Sequence, residues 1–288
     1  MVINLSNKLR KKFRKLLQSE SCYDAASIFD PISSRMAFDL GFEVGIIGGS
    51  VISLQVLGAP DFTLISLSEF VEQVNRIGRL AQFPIIVDAN HGYGNAINVM
   101  RTVNELERTG ISALTIEDTL LPIQFNKKFN IIISIEEAFY KIYSAIKART
   151  DTALYIIARI NINNLIYEDI IERIIAYQSA GADAICICGI KNINHLKKIF
   201  IYINIPIILL TYSNTKLSNL ILLSKNGVKI IIKKHTVYLE SIKAIYNYYI
   251  KQRNINKFYF KNIMNKYSIL NKYCFWFFEY MSNFKLIK

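Results

Sequence analysis

Pro84-Ile-Ile-Val-Asp-Ala-Asn-His-Gly-Tyr-Gly-Asn95 is the stretch that decides the fold. It opens as a short apolar run, Pro84 to Val87, which fits a fully buried strand. Polarity then switches on at once. Asp88, Asn90 and His91 arrive together, and Gly92 and Gly94 free the backbone to turn. Asn95 is a good N-cap for the amphipathic run from Ala96 to Arg108. A buried strand thus hands a carboxylate to its C-terminal mouth, and a helix leads away. In parallel α/β folds that mouth collects catalytic groups, which marks Asp88 as a candidate metal ligand.

The same unit recurs on both sides. Further strands are expected at Cys22 to Phe29, Val44 to Ile47, Ala113 to Ile116, Leu154 to Ala158, Ala184 to Ile187, Pro206 to Leu210 and Val228 to Ile232. Helices are expected at Asn4 to Ser19, Ser33 to Leu40, from Ser50 to Leu57, Ser66 to Leu80, Ile135 to Arg149, Tyr167 to Ser179, Asn192 to Ile203, Leu217 to Lys225 and Val237 to Arg253. Polar groups follow the strands: Asp30, Gly48-Gly-Ser50, Glu117-Asp118, Arg159, Thr211-Tyr212 and Lys233-Lys234-His235. Strand and helix alternating about eight times describe an α/β fold, a (β/α)8 TIM-type barrel.

The 288 residues suit one large α/β domain. The barrel is expected over residues 1–253. Residues 254–288, where Tyr, Phe and Trp276 interleave with Lys, form an extension expected to pack on the barrel or on a neighbouring subunit. At 52% hydrophobic the chain has ample core. Its apolar runs are broken well short of the ~20 residues a membrane span needs. Met1 to Leu17 lacks a signal-peptide apolar region, so a cytoplasmic location is expected. Cys22, Cys186, Cys188 and Cys274 are scattered and form no zinc pattern; reduced, mostly buried thiols are the expectation.

A net charge of +13 invites a nucleic-acid reading. Much of the excess lies in the C-terminal third, where Lys, Asn, Ile, Tyr and Phe crowd together as in a biased amino-acid supply. No nucleic-acid-binding motif accompanies it, so no specific nucleic-acid partner is expected.

Several of these residues carry a resemblance. Ile28-Phe-Asp-Pro31, Gly48-Gly-Ser50, Asp88 with His91-Gly-Tyr-Gly-Asn95, Ile116-Glu-Asp-Thr119, Arg159 and His235 resemble the isocitrate lyase / phosphoenolpyruvate mutase superfamily. Ser53-Leu-Gln-Val56 and Ala59-Pro-Asp-Phe62 are similar to its oxaloacetate decarboxylase branch. The similarity runs from about Leu9 to Ile250. It implies a barrel whose last helix is exchanged with a neighbour, in a homotetrameric dimer of dimers. It also implies decarboxylation of oxaloacetate to pyruvate and CO2, with Mg²⁺ (or Mn²⁺) acting as Lewis acid on an enolate. In that picture Asp88 is the direct metal ligand. Glu117, Asp61 and the residue at Asn90 act through water. Ser50 and Tyr212 bind substrate, and Arg159 and His235 are the catalytic and substrate-binding groups. Another α-oxo acid reaction of the superfamily, such as phosphonopyruvate chemistry, and a non-catalytic barrel are the rival readings.

Single residues have plainer roles too. A lone Asp after a strand is ordinarily a helix cap, but Asp88, Glu117, Arg159 and His235 all fall at strand ends. His91 reads equally as a structural histidine, Asp118 as a supporting or capping residue, and His195 as solvated. Gly-Gly turns are common, so Gly48-Gly-Ser50 carries weight only with the family. The chain also departs from the family pattern. Asn90 stands where a second Asp is usual, which lowers the expected Mg²⁺ affinity by roughly 1–2 kcal/mol. Lys233-Lys234 replace Asn-Gly before His235. The stretch Thr119 to Asn126 lacks the Cys and His of the isocitrate-cleaving branches.

Overall fold

The computed structural model describes residues 2–59, 63–122, 131–163, 165–212 and 214–253. Asp61 and the extension from residue 254 onward lie outside them. Eight parallel strands close into a barrel in chain order, β1 (Tyr23–Ser27), β2 (Gly45–Ile47), β3 (Ile85–Asp88), β4 (Ala113–Glu117), β5 (Tyr155–Asn161), β6 (Ala184–Cys188), β7 (Ile207–Tyr212) and β8 (Val228–Lys233). Closure is made by β1 against β8, with Tyr23 opposite Ile230 and Ala25 opposite Ile232. The TIM-type expectation holds.

Each helix follows from local sequence. Helix α1 (Val2–Gln18) precedes the barrel, and α2 (Pro31–Asp39) starts on Asp30, whose side chain accepts from Ser33 N. Helix α3 (Gly49–Leu57) starts at Gly48 with no side-chain cap. In α4 (Leu67–Gly78), Ser66 and Glu69 form a capping box. Asn95 caps α5 (Ala96–Arg108) through Ile97 N and Asn98 N. Helices α6 (Ile135–Ala148), α7 (Tyr167–Ser179) and α8 (Ile193–Phe200) follow β4, β5 and β6. The expected helix Leu217 to Lys225 is instead a 3-10 turn, Thr215–Leu217, and a short α9 (Leu220–Ser224), because Asn219 caps a new start. Helix α10 (Thr236–Gln252) closes the described chain. No helix among the described residues is long and apolar enough to cross a membrane.

Two apolar layers form the core. One lies between strands and helices and includes Phe70, Val74, Val103, Ile142, Ile174 and Ile185. The other fills the barrel with Val44, Ile46, Ile86, Ile157, Ile208 and Ile230, and Phe13, Leu16 and Leu17 of α1 join it. Isoleucine dominates the strands because a branched Cβ loses little freedom on a pleated surface. Phe13 meets Tyr155 edge-on at 5.4 Å between ring centroids, so α1 plugs the barrel at the N-terminal ends of its strands.

A buried ion cluster fixes that plug. Arg10 donates to Ile111 O at 2.9 Å, to Glu107 O at 2.8 Å and to Asp151 Oδ2 at 2.8 Å. Glu107 in turn accepts from Thr150 Oγ1 at 2.8 Å and from Asp151 N at 2.7 Å. Removing one member leaves buried groups unpaired. Glu107→Ala should therefore lower the unfolding free energy by about 3 kcal/mol. Arg76→Ala, which breaks an exposed pair with Glu72 on α4, should change it by less than about 0.5 kcal/mol. Urea denaturation followed by circular dichroism compares the two; equal losses would contradict this account of the plug.

Candidate active site

The mouth at the C-terminal ends of the strands holds a cavity of about 280 Å³, lined among others by Ser50, Asp88, Thr115, Arg159, Tyr212 and His235. Asp88 ends β3. Its Oδ1 accepts from Thr115 Oγ1 at 2.9 Å and from Asn90 N at 3.3 Å, while Oδ2 accepts from Arg159 Nη1 at 2.6 Å. Glu117 ends β4, directly opposite Arg159 in register, and its Oε2 lies 3.2 Å from Arg159 Nη2. One guanidinium thus bridges two carboxylates from neighbouring strands. Burial alone would lower the Arg159 pKa, but Asp88 and Glu117 outweigh it and hold it well above the ordinary value.

Arg159 does not follow its strand, as the sequence reading has it; β5 continues through Ile160 to Asn161. The reason is pairing with β6, which carries the ladder on to Asn161 opposite Cys188. Arg159 is therefore set inside the barrel rim. Its side chain is only 14% exposed.

His235 follows β8. Its Nδ1 is 2.6 Å from Ser27 Oγ, and its ring lies against Gly48. Burial pushes its pKa below the ordinary histidine value, Asp88 opposes that, and Arg159 adds to it. The ring is therefore neutral at neutral pH. Lys233 does not crowd it, because its ammonium turns to Asp24. Lys234 is exposed at the cavity rim. Tyr212 sits in the left-handed region at φ 49°, beside a register shift between Leu210 and Tyr212, and is 49% exposed. Burial of its hydroxyl, with Cys188 next to it, raises its pKa, so the phenol stays protonated.

Asn90 is 4% exposed with φ 49°, a conformation Asn tolerates. Its Nδ2 is buried without a hydrogen-bond partner. His91 is buried too. Desolvation and then Lys141 lower its pKa to about 4, so the ring is neutral at neutral pH. Asp118 is neither a cap nor a mouth residue. It is buried beneath Glu117, accepting from Tyr177 OH at 2.6 Å and Arg173 Nη1 at 3.2 Å. Burial raises its pKa despite both partners.

Four supporting residues escape the sequence reading: Ser27, Thr115, Lys141 and Arg173. Two left a trace. Lys141 interrupts the buried stripe Ala138, Ile142, Ala145 of α6, and Arg173 interrupts Ile170, Ile174, Tyr177 of α7. A long cation inside an apolar stripe is buried only against a partner. Ser27 and Thr115 are single hydroxyls on strands and carry no such mark.

Among the described residues no three His, Cys, Asp or Glu side chains converge as a complete metal cage. Asp88 and Glu117 nevertheless hold hard oxygen donors on either side of the Arg159 guanidinium. Such a set suits an ion that keeps most of its own water, which is the habit of Mg²⁺.

The glycine pair sets how closely these parts meet. A Cβ on Gly48 would lie 2.1 Å from His235 Nε2, and one on Gly49 would lie 2.7 Å from Asn90 Oδ1. Gly48→Ala should therefore displace the imidazole while leaving the barrel folded. Ring-proton NMR of His235 in wild type and variant reads this out; an unshifted ring would show that the contact is not made.

Comparisons with known proteins agree with the barrel fold. The family model described as phosphoenolpyruvate phosphomutase matches residues 13–251. The oxaloacetate decarboxylase of Chromohalobacter salexigens is 50% identical over 275 residues, covering 95% of this chain and 96% of that protein. That of Ectopseudomonas mendocina is 52% identical over 277 residues, covering 96% of each. Among solved structures, an oxaloacetate acetylhydrolase superposes with TM-score 0.78 at 25% identity, covering 86% of this chain and 87% of that one. A phosphonopyruvate hydrolase complexed with oxalate and Mg²⁺ superposes with TM-score 0.77 at 26% identity, covering 85% and 87%. The chain belongs to the phosphoenolpyruvate phosphomutase family, and its sequence groups with members named oxaloacetate decarboxylase.

Proposed function

We propose that this protein decarboxylates oxaloacetate to pyruvate and CO2 with the help of a divalent cation, Mg²⁺ or Mn²⁺. The observation that carries the reading is the pair Asp88 and Glu117, brought to one cation at the barrel mouth, in a chain half identical to oxaloacetate decarboxylases. Asp88 would hold the ion directly, and Glu117, Asn90 and Asp61 through its waters. Bound there, the ion supplies Lewis acidity next to the C2 oxygen of the substrate.

The residues do the positioning. Ser50 sits at the start of α3, where Gly48 leaves the first N–H groups uncapped by a side chain. Those groups and the Ser50 hydroxyl suit a substrate carboxylate. Arg159 would offer a second, planar site for a carboxylate when its pairs with Asp88 and Glu117 open. When the Ser27 hydroxyl donates to His235 Nδ1, Nε2 carries the proton and donates toward the substrate's oxygens. A neutral ring does this without adding charge. Tyr212, protonated at the mouth, donates likewise. The C3–C4 bond then breaks, its electrons pass toward C2, CO2 leaves, and C3 takes a proton to give pyruvate. The same C2 oxygen accumulates the charge, so donors aimed at it strengthen in the transition state.

The reading extends to assembly as a homotetramer with the last helix exchanged, in the cytoplasm. Helix α10 supports the exchange: Tyr246 is buried, whereas Val237, Ile245, Tyr248 and Tyr249 are more than half exposed. Residues 254–288 are proposed to pack there or on the barrel.

Pyruvate release from oxaloacetate, with and without Mg²⁺ and corrected for the ion's own catalysis, tests the proposal. Turnover should vanish with EDTA and in Asp88→Ala. Asn90→Asp should bind Mg²⁺ tighter by about tenfold, the effect of one added carboxylate acting through water. Phosphonopyruvate is the comparison substrate, because a phosphonopyruvate hydrolase shares the fold at 26% identity. Turnover of phosphonopyruvate alone would replace the decarboxylase reading.

A further inference from the structure

Arg159 has more to do than receive a carboxylate. Both terminal nitrogens are engaged, Nη1 on Asp88 at 2.6 Å and Nη2 on Glu117 at 3.2 Å. The same fork is therefore not open to a substrate while these pairs stand. Charge counting sharpens the point. Asp88 and Glu117 with Arg159 sum to −1, and a divalent cation brought to the same pair makes +1. A third carboxylate at position 90 would cancel that excess, but this chain has Asn90. In a site only 11–21% exposed, an uncompensated positive charge is poorly screened.

We propose that in this chain the Arg159 guanidinium and the divalent cation compete for Asp88 and Glu117, and that the substrate's carboxylates resolve the competition by taking the freed guanidinium. Arg159 is thus a specificity-determining residue that makes metal and dicarboxylate bind together rather than in succession. A dianion restores the balance to −1, so each ligand raises the affinity for the other by the same factor. This rests on the metal reading of Asp88 given above.

Direct Mn²⁺ binding, by electron paramagnetic resonance of the free ion, tests it on the full chain. Arg159→Met should bind Mn²⁺ about tenfold tighter than wild type, because the competent, uncovered site no longer has to be opened. Arg159→Lys, which keeps the charge but not the fork, should fall between them. Oxalate, a dianion that cannot lose CO2 in this reaction, should tighten Mn²⁺ in wild type, with its own complexation of the ion subtracted. The effect should shrink in Arg159→Met and in Asn90→Asp. Asp88→Asn is the control. If it loses Mn²⁺ while Arg159→Met binds no better than wild type, the competition is refuted and the metal site stands. If Asp88→Asn binds Mn²⁺ as wild type does, the metal reading fails and the competition with it. Should Arg159→Met not fold, the wild-type protein still decides. The Arg159 Nε–H signal in ¹⁵N NMR, assigned by its loss in Arg159→Lys, should move when Mg²⁺ is added. A signal that stays in place overturns the proposal.

Discussion

A guanidinium between two carboxylates is the interaction on which the mouth of this barrel depends. Strand register creates it, since Glu117 and Arg159 are opposite each other on neighbouring strands and Asp88 ends the strand before them. Two acids this close, largely shielded from water, would repel without a cation between them. The same need that stabilises the resting molecule defines what the site can accept. Anything that binds there must bring positive charge, replace it, or release it to a negative partner.

Support for that centre extends downward. Thr115 orients Asp88 from within β4, and Asp118, Arg173 and Tyr177 form a buried hydrogen-bonded cluster under Glu117. Ser27 holds His235 from across the closing seam of the barrel, where β1 meets β8. Asp88, Glu117 and Arg159 therefore sit on strands and are fixed by neighbours on other strands, an arrangement that keeps geometry within narrow bounds. Gly48 and Gly49 complete it by being absent side chains: both would strike a site residue if enlarged.

Much of this was legible in the chain. The apolar run ending at Asp88, the Asn95 cap and the helical pattern from Ser66 predict elements the structure contains nearly residue for residue, because strand burial and capping are local effects. Where sequence reading slips, the cause is not local. Arg159 reads as a post-strand residue because a charge ends an apolar run, yet ladder pairing with β6 carries the strand past it. The segment after β7 reads as one helix because Leu and Ile dominate it, yet Asn214 and Asn219 each cap a separate start. Ser27 and Thr115 are invisible as site residues because only barrel closure and register tell a strand hydroxyl which partner it has. Asp61 and the aromatic extension lie outside the described residues.

The plug at the far end of the barrel carries a consequence for biogenesis. Arg10 reaches Asp151 across 141 residues of chain. At ordinary rates of translation that interval is on the order of 10 s. Through that interval the amphipathic α1, already synthesised, lacks Asp151 and a complete barrel floor to cover with Phe13 and Leu17. Helix α1 can be fastened in its final place only once a loop 141 residues further along the chain has been made.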